Sequence, residues 1–249
     1  MSGLDPLWLV LAGFGGGLAG SVAGLASLVS YPALLAVGLP PVAANVTNTV
    51  ALVFSTSGTI LGSRPELSGQ RRRAIRLGAS AVAGGIVGGV LLLATPTASF
   101  ARIVPWLIGL AALGVLVRRA PAGRATARKL PPWVLGAGVF LIAVYGGYFG
   151  AAAGVLMLSL LLLGSLDSLP RSNAMKNVLI GVANAVAAVA FAAFGPVRWL
   201  IVVPLSLGFF VGGRLGPAIV RRAPAGPLRA LVACGGVALA VHLGLDAYR

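Results

Sequence analysis

Apolar stretches divide this chain at residues 7–39, 45–62, 77–95, 103–117, 132–164, 177–194, 199–220 and 229–246, and almost no acid interrupts them. The carboxylates are Asp5, Glu66, Asp167 and Asp246, and each falls in or beside a gap between stretches. A helix crosses a bilayer with about 20 apolar residues, so these stretches and their connections use up the whole length. Inside hydrocarbon a backbone must satisfy its own hydrogen bonds, and a helix does so within one segment. The pattern predicts an all-α integral membrane protein forming a single membrane domain over residues 1–249.

The pattern also repeats. Gly16, Gly17, Gly20 and Gly24 return as Gly146, Gly147, Gly150 and Gly154, Asn45 as Asn173, and Gly84, Gly85 and Gly88 as Gly212, Gly213 and Gly216, in the same order and at a nearly constant offset. This predicts two four-segment repeats, residues 1–120 and 132–249, joined by a basic cytoplasmic linker over 118–131. Each repeat opens on a long stretch, 7–39 or 132–164, that is too long for one span and too short for two. Glycines interrupt both, and Pro32 also interrupts the first. Interrupted segments at matching positions of two halves point to broken helices at a transport site.

Charge bears on the topology. If each long stretch crosses once, the halves are parallel and 12 of the 19 basic residues lie inside. If each dips in and returns, the halves are inverted and 16 of the 19 lie inside, leaving Arg102, Arg198 and Arg249 outside. Cytoplasmic loops carry the excess of Lys and Arg, so inverted repeats, each beginning with a broken or re-entrant helix, are expected, with both termini outside.

Composition narrows the function. The chain is 58% hydrophobic and 9% charged, where a soluble domain is about a quarter charged. The net charge of +15 is no footprint of nucleic acid, because the basic residues cluster between spans. The start has no basic region ahead of the first stretch, so a cleaved signal peptide is not expected. Cys234 reads as a small packing residue and His242 as an interfacial one. With one His, one Cys and no paired acids, no catalytic group, metal or cofactor is expected. Trp106, Trp133 and Trp199 begin or flank spans and read as interface anchors.

The polar positions within the stretches suggest the cargo. No carboxylate is available there to balance a bound cation, so a small anion is the natural substrate. Paired half-helices would aim backbone N–H groups and the positive dipole end at it, and Gly16, Gly17, Gly20, Gly24, Gly146, Gly147, Gly150 and Gly154 would let the backbone approach, or else serve close helix packing. Asn45 and Asn48, three apart, share a helix face, as do Asn173, Lys176 and Asn177. Amides and an ammonium donate to oxyanions, and Ser21, Ser55, Ser57 and Asn184 are further donors. Capping by Asn and a snorkelling lysine are the structural alternatives.

Gly-Gly-Leu-Ala-Gly-Ser-Val-Ala-Gly at 16–24, followed by Pro32-Ala-Leu-Leu and Gly38, resembles the first half of the sulfite exporter TauE/SafE family. Tyr145-Gly-Gly-Tyr-Phe-Gly-Ala-Ala-Ala-Gly at 145–154 and Asn173-Ala-Met-Lys-Asn at 173–177 resemble its second half, and Gly195-Pro-Val-Arg-Trp and Gly212-Gly-Arg-Leu-Gly its closing part. Leu25 and Ala26 stand where family members often carry further glycines. The resemblance implies a multi-pass transporter of the bacterial inner membrane for sulfite, sulfoacetate or related sulfur-containing or carboxylate anions, driven by an ion gradient. Protons as coupling ion and a homodimer are open alternatives within it. A passive anion channel and a non-transporting membrane scaffold are the competing readings.

Overall fold

The computed structural model describes residues 5–117 and 130–222, together with positions 241 and 245. Cys234, His242, Arg229 and the linker over 118–129 lie outside the described residues. The described chain is all-helical: α1 (Asp5–Ala23), α2 (Ala26–Ala36), α3 (Pro41–Gly62), α4 (Arg64–Leu67), α5 (Arg71–Ala94), α6 (Thr97–Val117), α7 (Pro132–Tyr148), α8 (Ala153–Gly164), α9 (Leu169–Phe194) and α10 (Trp199–Arg222). Four of these, α1, α5, α9 and α10, are long and apolar enough to cross a membrane. α3 has 22 residues, about 33 Å at 1.5 Å per residue. It buries Asn45, Thr47, Asn48, Thr49, Ser55 and Thr59 against its neighbours rather than presenting an apolar surface all round.

Both long stretches break and fold back. In the first, α1 ends at Ala23 and α2 starts at Ala26. A Cβ on Gly20 would meet Ala26, and one on Gly16 would meet Ser30, so α2 runs back along α1. Pro32, expected to interrupt this stretch, lies inside α2 instead. A proline costs one backbone bond, and the break falls where Gly24 takes a φ of +78°, which excludes a helical continuation. In the second stretch, α7 and α8 flank a turn whose Gly150 (φ +76°) and Ala152 (φ +56°) are both left-handed. Its ends close at one level, Leu130 N donating to Gly164 O at 3.3 Å.

The helices sort into two antiparallel sets through close glycine contacts. α1 and α3 run in the direction of α10: Gly13 and Gly17 close on Leu205 and Phe209, and Gly58 and Gly62 on Phe210 and Arg214. α7 and α9 run in the direction of α5: Gly84 and Gly88 close on Phe140 and Val144, and Gly85 on Ala183. Small residues let helices approach within van der Waals range where lipid supplies no hydrophobic drive.

Ion pairs place one end of the bundle. Arg221 donates to Glu66 Oε1 at 2.8 Å, Arg73 pairs with Asp167, and Gln70 Nε2 donates to Arg171 O at 3.4 Å. Arg64, Arg71–Arg73, Arg76, Arg171, Arg221 and Arg222 therefore gather at the end where α3 and α10 finish and α5 and α9 begin. Arg198 lies at the opposite end, its N–H donating to Thr47 Oγ1 at 3.0 Å.

Candidate functional site

The two hairpins meet at their breaks. A cavity of about 50 Å³ lies there, lined by Gly20, Ser21, Gly24 and Ser27 of the first hairpin and by Gly146, Gly150, Ala153 and Gly154 of the second. A single water needs roughly 10–15 Å³ of such space, so the volume suits a small ion. α3 contributes Thr49, Ser55, Thr56 and Thr59, and α9 contributes Lys176, Asn177 and Asn184. Among the described residues no carboxylate lines it.

Two helix starts face this space. α2 begins after Leu25 and α8 after Ala152, and neither start has a side-chain cap. The first N–H groups of a helix lack intrahelical partners and carry the positive end of its dipole; at α8 Ala153 N and Val155 N donate to the turn at Gly150 O and Ala152 O, so α8 offers chiefly its dipole. Lys176 adds a full charge. Its side chain is 1% exposed, and its Nζ donates to Gly20 O at 2.9 Å and Ser21 O at 3.2 Å. These carbonyls close the C-terminal end of α1, the negative end of that dipole, so the buried ammonium has polar partners at no cost in acid.

Ser21 O is a shared acceptor. Asn173 Nδ2 also donates to it at 2.9 Å and Asn177 Nδ2 at 3.4 Å. Three residues of α9 thus hold the end of α1. The second hairpin closes itself instead: Tyr145 OH donates to Ala151 O at 2.7 Å, and Ala153 N to Gly150 O at 3.1 Å. A side-chain hydrogen bond also ties it to the first half: Asn45 Nδ2 donates to Tyr148 O at 2.9 Å.

The predicted site residues thus take several kinds of place. Gly20, Ser21, Gly24, Gly146, Gly150, Gly154, Lys176 and Asn177 come together at the cavity. Asn45 and Asn173 sit behind it, buried, tying helix ends across the halves. Asn48 turns to the first hairpin, donating to Ser27 Oγ at 3.3 Å and accepting from Ser30 Oγ at 2.6 Å. Gly16, Gly17 and Gly147 lie against Phe209, the Phe209–Gly213 main chain and Gly85 respectively. Ser57 is exposed and bonds within its own helix. The tryptophans Trp106, Trp133 and Trp199 are exposed.

The two asparagine runs do not open their helices. α3 starts at Pro41 and α9 at Leu169, with a proline in the first turn of each, which puts Asn45 and Asn173 a full turn inside. Proline at the first helical positions was the signal for the earlier starts. The hydroxyl row Thr49, Thr56 and Thr59 and the hairpin clasp Tyr145 were not singled out by sequence. The four-residue spacing of Ser55 and Thr59 in an apolar helix was the available hint for the row.

No solved structure matches this chain. A curated relative from Sinorhizobium sp., named "Probable membrane transporter protein ORF9", is 25% identical over 241 residues, covering 96% of this chain and 92% of its own. The family description "Sulfite exporter TauE/SafE" matches residues 9–243. With that match across nearly the full length, on a bundle of apolar helices, this multi-pass membrane protein belongs to the sulfite exporter TauE/SafE family of membrane transporters.

Proposed function

We propose that this chain is a secondary transporter that moves a small sulfur-containing or carboxylate anion, such as sulfite or sulfoacetate, across the bacterial inner membrane in an ion-coupled cycle. The observation that carries this reading is the convergence of two helix starts and the Lys176 ammonium on one cavity that no described acid lines. An anion there meets backbone N–H groups, the hydroxyls of Ser27 and Thr49, and a cation. A cation there would meet none of the charge it needs.

Two inverted repeats are the architecture we propose around it. The antiparallel sets α1, α3, α10 and α5, α7, α9 exchange roles under such symmetry, and the pair Glu66–Arg221 favours it over parallel halves. Parallel halves would put residue 66 and residue 221 on opposite sides of the membrane, yet they touch. Each hairpin is then re-entrant, entering from one side and returning to it.

Lys176 serves both the cavity and the end of α1. An anion drawing the ammonium away from Gly20 O and Ser21 O would loosen the first hairpin from α9, leaving the self-closed second hairpin intact. Substrate occupancy is thereby linked to movement of one hairpin, as alternating access requires. No acid among the described residues lines the cavity, so a coupled proton would ride on the anion or on Lys176.

Reconstituted protein tests the reading. Uptake of sulfite, thiosulfate, sulfoacetate, sulfate and short carboxylates into liposomes should saturate for at least one of them and fall by roughly 10- to 100-fold in Lys176→Met. A variant folded and as active as the parent would remove Lys176 from the binding site. Flux that is indifferent to an imposed proton gradient and does not saturate would identify a passive channel instead.

A further inference from the structure

We infer that the pocket between the starts of α5 and α7 binds the phosphate of an anionic membrane lipid. This pocket, about 640 Å³, shares no lining residue with the hairpin cavity. Arg72, Arg76 and Ser80 line it from α5, and Trp133, Gly136 and Ala137 from α7. Arg72, Arg76 and Ser80 are four residues apart in turn, so they form one ladder on one helix face. At the inner end of the pocket a Cβ added to Gly136 would lie 3.4 Å from Ser80 Oγ, and past it the helices close tightly, where one added to Gly84 would lie 2.5 Å from Phe140 O.

Charge in this pocket is unbalanced. The first turn of α5 holds Arg71, Arg72 and Arg73 with no acid and no side-chain cap, so guanidinium groups stack on the positive end of a helix dipole. That arrangement is unfavourable without a counter-charge. Asp167 serves Arg73 and Arg171, and Glu66 serves Arg221. Among the described residues neither Arg72 nor Arg76 has an acidic partner. The described carboxylates Asp167 and Glu66 are both engaged elsewhere, so the counter-charge of this ladder is assigned to an anion from outside.

A lipid headgroup is the occupant that the surroundings favour over a free anion. The pocket is lined by Trp133, which is 75% exposed. On α7 the pocket-lining Trp133 and Ala137 are followed four residues on by Leu141, which is exposed and so extends the same helix face. A headgroup seated on the arginine ladder would have its acyl chains along that apolar flank. Basic pockets between spanning helices are recognised sites for anionic headgroups, and an indole at the rim suits the interfacial level.

The test uses purified full-length protein in neutral detergent, with phosphatidylglycerol, phosphatidylcholine and inorganic phosphate as probes and thermal midpoint and native mass spectrometry as readouts. Phosphatidylglycerol should raise the midpoint and remain bound. Arg72→Gln with Arg76→Gln should weaken its binding roughly 10- to 30-fold, about the worth of two basic side chains at a charged surface. Arg64→Gln with Arg222→Gln, at the same end but outside the pocket, should leave it unchanged. If the double variant does not fold, Arg76→Gln alone carries the comparison. Equal stabilisation by phosphatidylcholine, or undiminished phosphatidylglycerol binding in the pocket variants, overturns the inference. Stabilisation by inorganic phosphate matching that by phosphatidylglycerol overturns it in favour of a vestibule for free anions.

Discussion

Gly24 and Gly154 abut main chain to main chain where the two hairpins cross: a Cβ on Gly154 would lie 2.5 Å from Gly24 Cα. They hold equivalent places in the two repeats proposed above, so their contact is where a two-fold relation between those repeats would have its axis. Gly24 also needs a φ of +78°, which a side chain adopts only with strain. Gly24→Ala should therefore abolish monodisperse protein, by clash and by backbone. Gly146→Ala is the control. An added methyl there would stand 3.8 Å from Ala153 Cβ, so the fold should survive while the cavity narrows. A well-folded Gly24→Ala protein, seen by size-exclusion chromatography, would refute the crossing.

Lys176→Met should keep its fold, because Asn173 and Asn177 still donate to Ser21 O. Anion uptake should fall by roughly 10- to 100-fold, the worth of a hydrogen bond to a charged group. The expected signature is loss of flux with an intact thermal transition; a collapse of both would make Lys176 structural.

The two tying asparagines should differ. Asn45→Ala strips Tyr148 O of its side-chain donor, whereas Asn173→Ala leaves Ser21 O with Lys176 and Asn177. Leaving a buried polar group unpaired costs about 1–3 kcal/mol, or several degrees for a chain of this size. Thermal midpoints should fall further for Asn45→Ala than for Asn173→Ala, and the reverse order would contradict the shared-acceptor geometry.

Tyr145→Phe removes the clasp on Ala151 O while keeping the ring. The expected loss is about 1 kcal/mol, confined to the second hairpin. Hydrogen exchange should rise at residues 149–153 and stay constant at residues 20–26. Exchange rising equally in both hairpins would mean that the two turns are not closed independently.

Topology is open to a labelling experiment. In a Cys234→Ser background, single cysteines at positions 68 and 222 should react with an impermeant reagent from one face of the membrane, and a cysteine at 197 from the other. Labelling of 68 and 222 from opposite faces would rule out inverted repeats.

Hydropathy alone determined that this chain is helical and membrane-embedded, because apolar runs without acids can satisfy their backbone in lipid only as helices. The breaks were legible too, since glycines recur at 24 and 154 within runs of the wrong length for a span. Which glycines line the cavity was not legible. Gly17 and Gly147 look like Gly20 and Gly150 in sequence, but one pair packs on neighbouring helices and the other lines a hollow. The asparagines were equally silent: a helix face is set by spacing, but its partner, such as Tyr148 for Asn45 at 103 residues' distance, is set by how helices pack. Local pattern reports each segment's solvent; only tertiary packing decides which carbonyl a buried amide or ammonium meets, because those partners lie far apart along the chain.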